Sequence, residues 1–234
     1  MHSDEVPSWR EVILRGHRTF PTVPWAASSR WRAKPLTFAV LLLGLSLFGI
    51  GEGLLVVTGI GNSPWVVLSQ GISGRTGLSI GWVTFLVSVC VLSLWWPLRE
   101  RPGFGTIANI VVIAVVLEAV VLWLPPITNL ALAVVVDVLA VFLVGLASAL
   151  YITTQLGPGP RDGLMTALHH RTGLRVSQVR LALESSVLCA GWLLGGTAGI
   201  GTLLFAGLIG RAIAFWLGVL ARAVHQRPLP ESGQ

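Results

Sequence analysis

The chain has 234 residues, of which 53% are hydrophobic and only 11% are charged. Soluble domains carry roughly a quarter charged residues, and here the apolar residues occur in long blocks, so the composition indicates an integral membrane protein. A formal net charge of +6 would also suit a nucleic-acid-binding protein. The arginines, however, lie mainly in the tails and the short loops between apolar blocks, which is typical of membrane orientation. We therefore expect no nucleic-acid partner.

Six apolar blocks are long enough to be membrane-spanning helices, since a span needs about 20 residues. The predicted spans are residues 35–58, 79–96, 106–124, 130–155, 176–194 and 202–222. Residues 1–34 form a basic segment for which a location at the lipid headgroups and a disordered tail both stay open. Residues 223–234 form a polar, proline-rich tail that we predict to be disordered.

The charges of the loops orient these spans. With residues 1–34 in the cytoplasm, the short loops on that side carry five arginines, whereas the opposite loops carry only Arg75. The five are Arg99, Arg101, Arg161, Arg171 and Arg175. An excess of basic residues on the cytoplasmic side is the usual pattern of membrane proteins. We predict a multi-pass protein of the bacterial plasma (inner) membrane, with an even number of spans and both termini in the cytoplasm.

The two halves of the chain resemble each other at an offset of 96 residues. Repeated positions with a structural role are Pro64 and Pro160, Arg75 and Arg171, Gly103 and Gly199, and Gly105 and Gly201. Each half, residues 35–124 and 130–222, contains three predicted spans. Because three is odd, the second half enters the membrane upside down relative to the first. The sequence thus predicts an all-α fold of two inverted three-helix repeats, which is typical of secondary transporters with a site at the repeat interface and also occurs in channels.

Each repeat contains a short apolar run that follows a Gly/Pro turn. The runs, residues 64–73 and 160–169, are about 15 Å long as helices, half the thickness of the hydrocarbon core. We expect Ser63 to cap the first run. Two interpretations stay open. The runs are either broken, re-entrant half-helices whose positive N-terminal ends point at an anionic group, or amphipathic helices that lie flat at opposite membrane surfaces.

Charged residues inside the predicted spans are informative, because a charge at the bilayer centre costs roughly 3 kcal/mol or more unless it is paired or hydrated. Arg180 and Glu184 are four residues apart and can pair on one helix face. The predicted substrate or ion pathway consists of Glu52, Arg161, Asp162, Arg180, Glu184, Asp137 and Glu118. The alternative is a polar cluster that only holds helices together.

Other chemistry has little support in the sequence. The chain has no HExxH motif, no nucleophile elbow and no paired carboxylates at catalytic spacing, so we expect neither an enzyme nor a catalytic residue. Cys90 and Cys189 lie inside apolar runs without a CxxC pattern, and we infer no disulfide, metal site or cofactor from them. His169 and His170 are either a polar helix end or a pH sensor.

A set of motifs spread over residues 34–222 has the pattern of a known family. They are Gly51-Glu52, Pro64 to Leu68, Pro102 to Thr106, Gly157 to Met165, Arg180 with Glu184, and Gly191 to Thr202. Together they resemble the YczE/YyaS/YitT group of bacterial integral membrane proteins, above all its YczE-like branch. The resemblance implies a multi-span plasma-membrane protein, with a link to secondary-metabolite production in some members, and it implies no substrate.

Two classes of function follow from these patterns. The first is a small secondary transporter or channel-like protein with a site at the repeat interface. The second is a non-transporting membrane scaffold or accessory protein. The expected partners are the lipid bilayer and, for the first class, a small-molecule or ion substrate; association with a second copy of the chain stays open.

Overall fold

The structure is a computed structural model that describes residues 23–225. Within this range it is all-helical and contains no named β-strand. The helices are α1 (Pro35–Thr58), α2 (Pro64–Thr76), α3 (Ile80–Ser93), α4 (Trp95–Leu98), α5 (Phe104–Trp123), α6 (Leu130–Thr153), α7 (Pro160–Thr172), α8 (Val176–Leu193) and α9 (Ile200–His225). The predictions for residues 1–22 and 226–234 lie outside the described residues.

Among the described residues, five helical stretches are long and apolar enough to cross a membrane. They are α1, α3 continued by α4, α5, α6, and α9, and they span 19 to 25 residues each. The remaining predicted span coincides with α8, an 18-residue helix that carries Arg180 and Glu184. The prediction of a helix here is confirmed. Because its two charged residues lower its mean hydropathy, α8 is not among the five stretches that are apolar enough to cross a membrane.

The exposed surface of the bundle is rich in large apolar side chains, as expected for helices in contact with lipid. Within residues 23–225, four tryptophans near helix ends are more than 60% exposed. These are Trp82, Trp96, Trp123 and Trp192. Indole rings favour the level of the lipid headgroups, which fits their places near helix ends.

The helices α5 and α9 begin two residues earlier than predicted, at Phe104 and Ile200. Thr106 lies at the third helical position, where its hydroxyl accepts a hydrogen bond from the Gly103 N–H at 3.1 Å and donates to the Pro158 carbonyl at 2.8 Å. Its hydroxyl thereby ties the start of α5 to the loop before α7.

The helix α1 lies at the centre of the bundle, between α6 on one side and α5 on the other. Glycines make both approaches close. A Cβ at Gly44 would lie 3.0 Å from the backbone nitrogen of Tyr151, and one at Gly51 would lie 2.5 Å from Val144. Gly49 faces α5 in the same way. Small residues at such crossings let helix backbones approach closely inside a membrane, which is what brings α1 against both neighbours.

The short helices α2 and α7 each have 13 residues, about 20 Å, and start with a proline. Their N-terminal ends are buried inside the bundle: Ser63, Pro64, Gly159 and Pro160 are all buried. Their C-terminal ends are exposed, and each ends at a glycine in the left-handed conformation. Each short helix therefore runs from the interior of the bundle to its surface.

The offset of 96 residues recurs in the geometry. The starts of α2, α3 and α5 precede those of α7, α8 and α9 by 96 residues. The backbone contacts recur as well. The Gly105 N–H donates to the Leu156 carbonyl at 2.9 Å, and the Gly201 N–H donates to the Ile60 carbonyl at 3.0 Å. Each of these bonds joins the loop before a short helix of one half to a helix start in the other half.

The described part of the predicted basic segment, residues 23–34, packs against the bundle. The Trp25 indole donates to the Thr153 hydroxyl at 3.1 Å, and the Ala27 N–H donates to the Thr154 carbonyl at 2.9 Å. The Arg30 carbonyl accepts a hydrogen bond from the first residue of α5. This stretch is therefore an ordered cover over the end of α6 and the start of α5.

The contact between α2 and α8 leads to a prediction about stability. A Cβ at Gly191 of α8 would lie 2.4 Å from the backbone nitrogen of Leu68. We expect Gly191→Ala to lower the free energy of unfolding by about 1–3 kcal/mol, because backbone must move to admit the methyl group. Gly207→Ala on α9, where nothing lies within 4 Å, is the matched control and should keep or raise stability. Thermal unfolding in detergent measures both, and equal losses would contradict the close α2–α8 packing.

Candidate functional site

A cavity of about 140 Å³ lies inside the bundle, between the buried N-terminal ends of α2 and α7. Its wall includes residues from both halves of the chain. A space of this size has room for on the order of ten water positions or one small solute. Five of the seven residues predicted from the sequence line it, namely Glu52, Arg161, Asp162, Arg180 and Glu184.

The lining consists largely of positions that are 96 residues apart in the chain. The pairs are Phe48 with Val144, Glu52 with Ser148, Ser63 with Gly159, Pro64 with Pro160, Trp65 with Arg161, Thr84 with Arg180, and Ser88 with Glu184. Corresponding parts of the two halves thus meet at this cavity. In each pair with an ionisable residue, the other half supplies an uncharged one.

Arg161 projects from the first turn of α7. Its guanidinium lies over the Trp65 ring, 5.1 Å from the ring centroid, which is the distance range of a cation–π contact. Within residues 23–225 it forms no ion pair within 4 Å to the carboxylates that share the cavity. The guanidinium is held in place by an aromatic face rather than by a direct salt bridge.

Two of the carboxylates in the cavity already have partners. The Tyr151 hydroxyl of α6 donates to Asp162 at 2.5 Å. Glu184 accepts from the Nε of Arg180 at 2.9 Å, so the predicted pairing of these two residues on α8 is confirmed. Both carboxylates are fixed by contacts within the protein.

Glu52 is the most deeply buried of the lining carboxylates, with 1% of its surface exposed. It lies in the last third of α1, where it is flanked by Gly51 and Gly53. Its Oε2 accepts a hydrogen bond from the Ser63 hydroxyl at 2.7 Å. Ser63 occupies the predicted N-cap position of α2, but its side chain does not cap the helix, because its hydroxyl is directed to Glu52. That part of the capping prediction is wrong.

Several polar residues of the wall escaped sequence reasoning. Tyr151 is the only tyrosine of the chain, and Asn109 lies within an apolar run of α5. Thr84, Ser88 and Ser148 are small hydroxyl residues that look unremarkable on apolar helices. The signal that could have found these three is the repeat itself, because each corresponds to a charged residue of the other half.

Glu118 and Asp137 do not line the cavity. Glu118 accepts from the backbone N–H of Gly81 at 2.6 Å, at the start of α3, where a carboxylate interacts favourably with the helix dipole. Asp137 is fully buried, and Thr58 lies near one of its oxygens at 3.5 Å. The structure therefore places these two acids apart from the other five.

The repeated arginines fasten the C-terminal ends of the short helices. The Nε of Arg75 donates to the Leu194 carbonyl at 3.2 Å, and the Nη2 of Arg171 donates to the Pro97 carbonyl at 2.5 Å. The repeated glycines serve close backbone approaches: a Cβ at Gly103 or Gly199 would lie 2.2 or 2.4 Å from a carbonyl of the opposing loop. These motif residues hold the architecture and do not face the cavity.

The histidines lie at the exposed end of α7. The Nδ1 of His169 is 2.6 Å from the Leu174 carbonyl, which places this ring against the loop that follows the helix. Within residues 23–225, no cluster of three or more His, Cys, Asp or Glu side chains could hold a metal ion.

The hydrogen bond between Ser63 and Glu52 leads to a second prediction. We expect Ser63→Ala to lower the free energy of unfolding by about 1–3 kcal/mol, because a buried carboxylate oxygen loses its partner. Ser69 of the same helix is the control: it is fully buried, and its hydroxyl has no partner in the described chain. Ser69→Ala should therefore leave stability unchanged or raise it. Denaturant unfolding of both variants decides, and a loss at Ser69 as large as at Ser63 would contradict this bond.

Residues 36–217 match a family described as a family of unknown function (DUF6198). An uncharacterized protein of Haemophilus influenzae is 46% identical over 208 residues, which make up 89% of this chain and 95% of that protein. The uncharacterized membrane protein YczE of Bacillus subtilis is 31% identical over 191 residues, or 80% of this chain and 85% of YczE. The uncharacterized protein YyaS of Bacillus subtilis is 25% identical over 187 residues, or 77% of this chain and 92% of YyaS. No solved structure matches the chain.

These matches confirm the resemblance to the YczE and YyaS proteins that the motifs indicated. The five long apolar helices agree with them and make the chain an integral membrane protein. It belongs to the DUF6198 family and is a relative of YczE and YyaS.

Proposed function

We propose that the protein is a small secondary transporter or channel-like protein of the bacterial plasma membrane and that the cavity is its solute site. One observation carries the proposal: corresponding positions of the two halves meet at one cavity, and five charged residues line its wall inside a bundle of apolar helices. Such charges are costly in a membrane unless they are paired or serve a polar route. Sites near the midplane at a repeat interface are typical of transporters.

The proposal includes an inverted repeat with six spans, in which α8 is the sixth. Supporting it are the common offset of 96 residues in helix starts and the two equivalent loop contacts. The charged residues of α8 face the cavity, which explains how an apolar environment could accept this helix despite Arg180 and Glu184. Loop charge then places both termini in the cytoplasm.

The proposal also treats α2 and α7 as re-entrant half-helices. Their buried N-terminal ends and exposed C-terminal ends support this over a flat position at the membrane surface, where one face would be exposed along the whole length. The positive ends of both helix dipoles would then point into the cavity from opposite sides.

The inverted topology has a direct test at equivalent positions. Thr76 and Thr172 are the last residues of α2 and α7, are both exposed, and are 96 residues apart. In a background with Cys90→Ser and Cys189→Ser, we expect Thr76→Cys to react with a membrane-impermeant maleimide in intact cells. Thr172→Cys should react only after permeabilisation, because inverted repeats place equivalent positions on opposite sides. Labelling of both from the same side would contradict the inverted repeat.

Transport itself is tested in proteoliposomes. Osmotic swelling in a panel of small organic solutes and a pH-sensitive dye inside the vesicles report solute and proton flux. We expect Glu184→Gln and Asp162→Asn each to reduce the flux at least about tenfold while the protein stays folded, because each removes a charge from the cavity wall. Glu100→Gln, outside the cavity, is the matched control and should keep its flux.

A second candidate function is a non-transporting scaffold or accessory protein, for example one that supports secondary-metabolite production. The contact of Glu118 with the start of α3 favours it, because this intramembrane charge serves helix packing. If the wild type carries no flux, and if Glu184→Gln and Asp162→Asn lower the unfolding temperature strongly, the scaffold function is supported instead.

A further inference from the structure

The cavity wall contains two ionisable groups, Arg161 and Glu52, that have hydrogen-bonding capacity left and no ion-pair partner within the described residues. The Arg161 guanidinium rests on the Trp65 ring and makes no hydrogen bond within residues 23–225. Glu52 uses one carboxylate oxygen to accept from Ser63, while its Oε1 has no hydrogen-bond partner in the same range. A guanidinium offers five donors and a carboxylate about four acceptor sites, so both groups can bind a further molecule.

The other charged groups of the wall are already engaged. Asp162 accepts from Tyr151, and Arg180 and Glu184 are paired with each other. Arg180 and Glu184 compensate each other's charge, so a ligand that bound to either of them would compete with an existing ion pair. Arg161 is thus the guanidinium of the wall that has no carboxylate within 4 Å, and Glu52 is the more deeply buried of the two wall carboxylates that have no cation within 4 Å among the described residues. These two free groups come from opposite halves of the chain.

Neutral polar groups surround the same space. The Thr84 hydroxyl is buried without a hydrogen-bond partner among the described residues, and Thr84 is only 2% exposed. A buried hydroxyl left unpaired is unfavourable, which makes it a further contact for a polar ligand. Arg161 also lies in the first turn of α7, where free backbone N–H groups and the helix dipole favour an anionic group.

The opposite charges of Arg161 and Glu52 restrict the charge that a ligand of this cavity can carry. An anion would pair with Arg161 but would add negative charge beside the Glu52 carboxylate. A cation would pair with Glu52 but leave the guanidinium unpaired. A molecule with both charges close together satisfies both groups at once, and a cavity of about 140 Å³ limits it to a small size.

We propose that the cavity binds a small zwitterion of the α-amino-acid type, with its carboxylate on Arg161 and its ammonium group on Glu52. This inference rests on the proposed function, since it names the substrate class of the same site. It can be tested separately, because binding is measured on the purified full-length protein without any membrane flux.

Wild-type binding is the primary test. Isothermal titration calorimetry in detergent compares the binding of three probes. Glycine carries both charges, acetate carries only the carboxylate, and methylammonium carries only the ammonium group. We expect saturable binding of glycine, and of L-alanine and L-serine as larger probes. Acetate and methylammonium should each bind at least about tenfold more weakly, because each lacks one charge-assisted contact. Acetate or methylammonium binding as tightly as glycine, or no saturable binding of any of the three amino acids at millimolar concentration, overturns the proposal.

Variants assign the two ends of the ligand. Arg161→Gln and Glu52→Gln should each weaken glycine binding by about tenfold to a hundredfold. Glu52→Gln should in addition abolish the preference for glycine over acetate, because the ammonium group loses its partner. The controls Glu100→Gln and Arg101→Gln lie outside the cavity and should bind glycine as the wild type does. Unchanged glycine binding in either cavity variant overturns the assignment.

A folding defect and a failure of the proposed transport function can each be distinguished from a failure of this inference. If Arg161→Gln unfolds, Arg161→Lys retains the charge but not the planar fork, and it should show an intermediate loss of glycine affinity. Glycine binding without any flux in proteoliposomes would contradict the transporter function and leave this inference standing. Flux of another class of solute, with no amino-acid binding, would contradict this inference and leave the transporter function standing.

Discussion

The close packing of α1 against α6 is the constraint on which the rest of the structure depends. Glycines of α1 lie directly against α6, at distances where even an added methyl group would collide with it. In a membrane, where lipid tails are as apolar as the helices, such backbone proximity replaces the hydrophobic effect as the source of cohesion. The same contact sets the position of Glu52 on α1 and of Tyr151 on α6. Both side chains therefore reach the cavity from this closely packed helix pair.

Divergence between the two halves gives the cavity its chemistry. The second half supplies four of its five charged residues, at positions where the first half has Trp65, Val66, Thr84 and Ser88. The first half supplies the fifth, Glu52, opposite Ser148. The same charge at both positions of each pair would bring like charges together in one cavity. Instead, each charged residue of the wall has an uncharged residue at the corresponding position of the other half. This arrangement avoids the repulsion and brings opposite charges into one space.

Much of the architecture could be predicted from the sequence, because long apolar runs and Gly/Pro turns have few structural solutions in a membrane. The short helices, their proline starts and the pairing of Arg180 with Glu184 all follow from local spacing. The pathway assignment of Glu118 and Asp137 rested on their charge alone, and the burial of a charge does not say which cavity, if any, it faces. Ser63 illustrates the same limit. Its place before Pro64 predicted a helix cap, but its hydroxyl donates to Glu52 of α1, which lies 11 residues earlier in the chain. Only tertiary packing fixes such contacts.

The two reciprocal loop bonds carry a consequence for the origin of the chain. In the loop before each short helix, a carbonyl group accepts a hydrogen bond from the start of a helix in the other half. The Gly105 N–H donates to the Leu156 carbonyl, and the Gly201 N–H donates to the Ile60 carbonyl. Neither half can satisfy these backbone groups alone. A single ancestral half, if inverted as proposed, could have closed its loop only by pairing with an identical copy inserted in the opposite orientation. Duplication and fusion would then have made that pairing obligatory, after which each half was free to acquire its own charges.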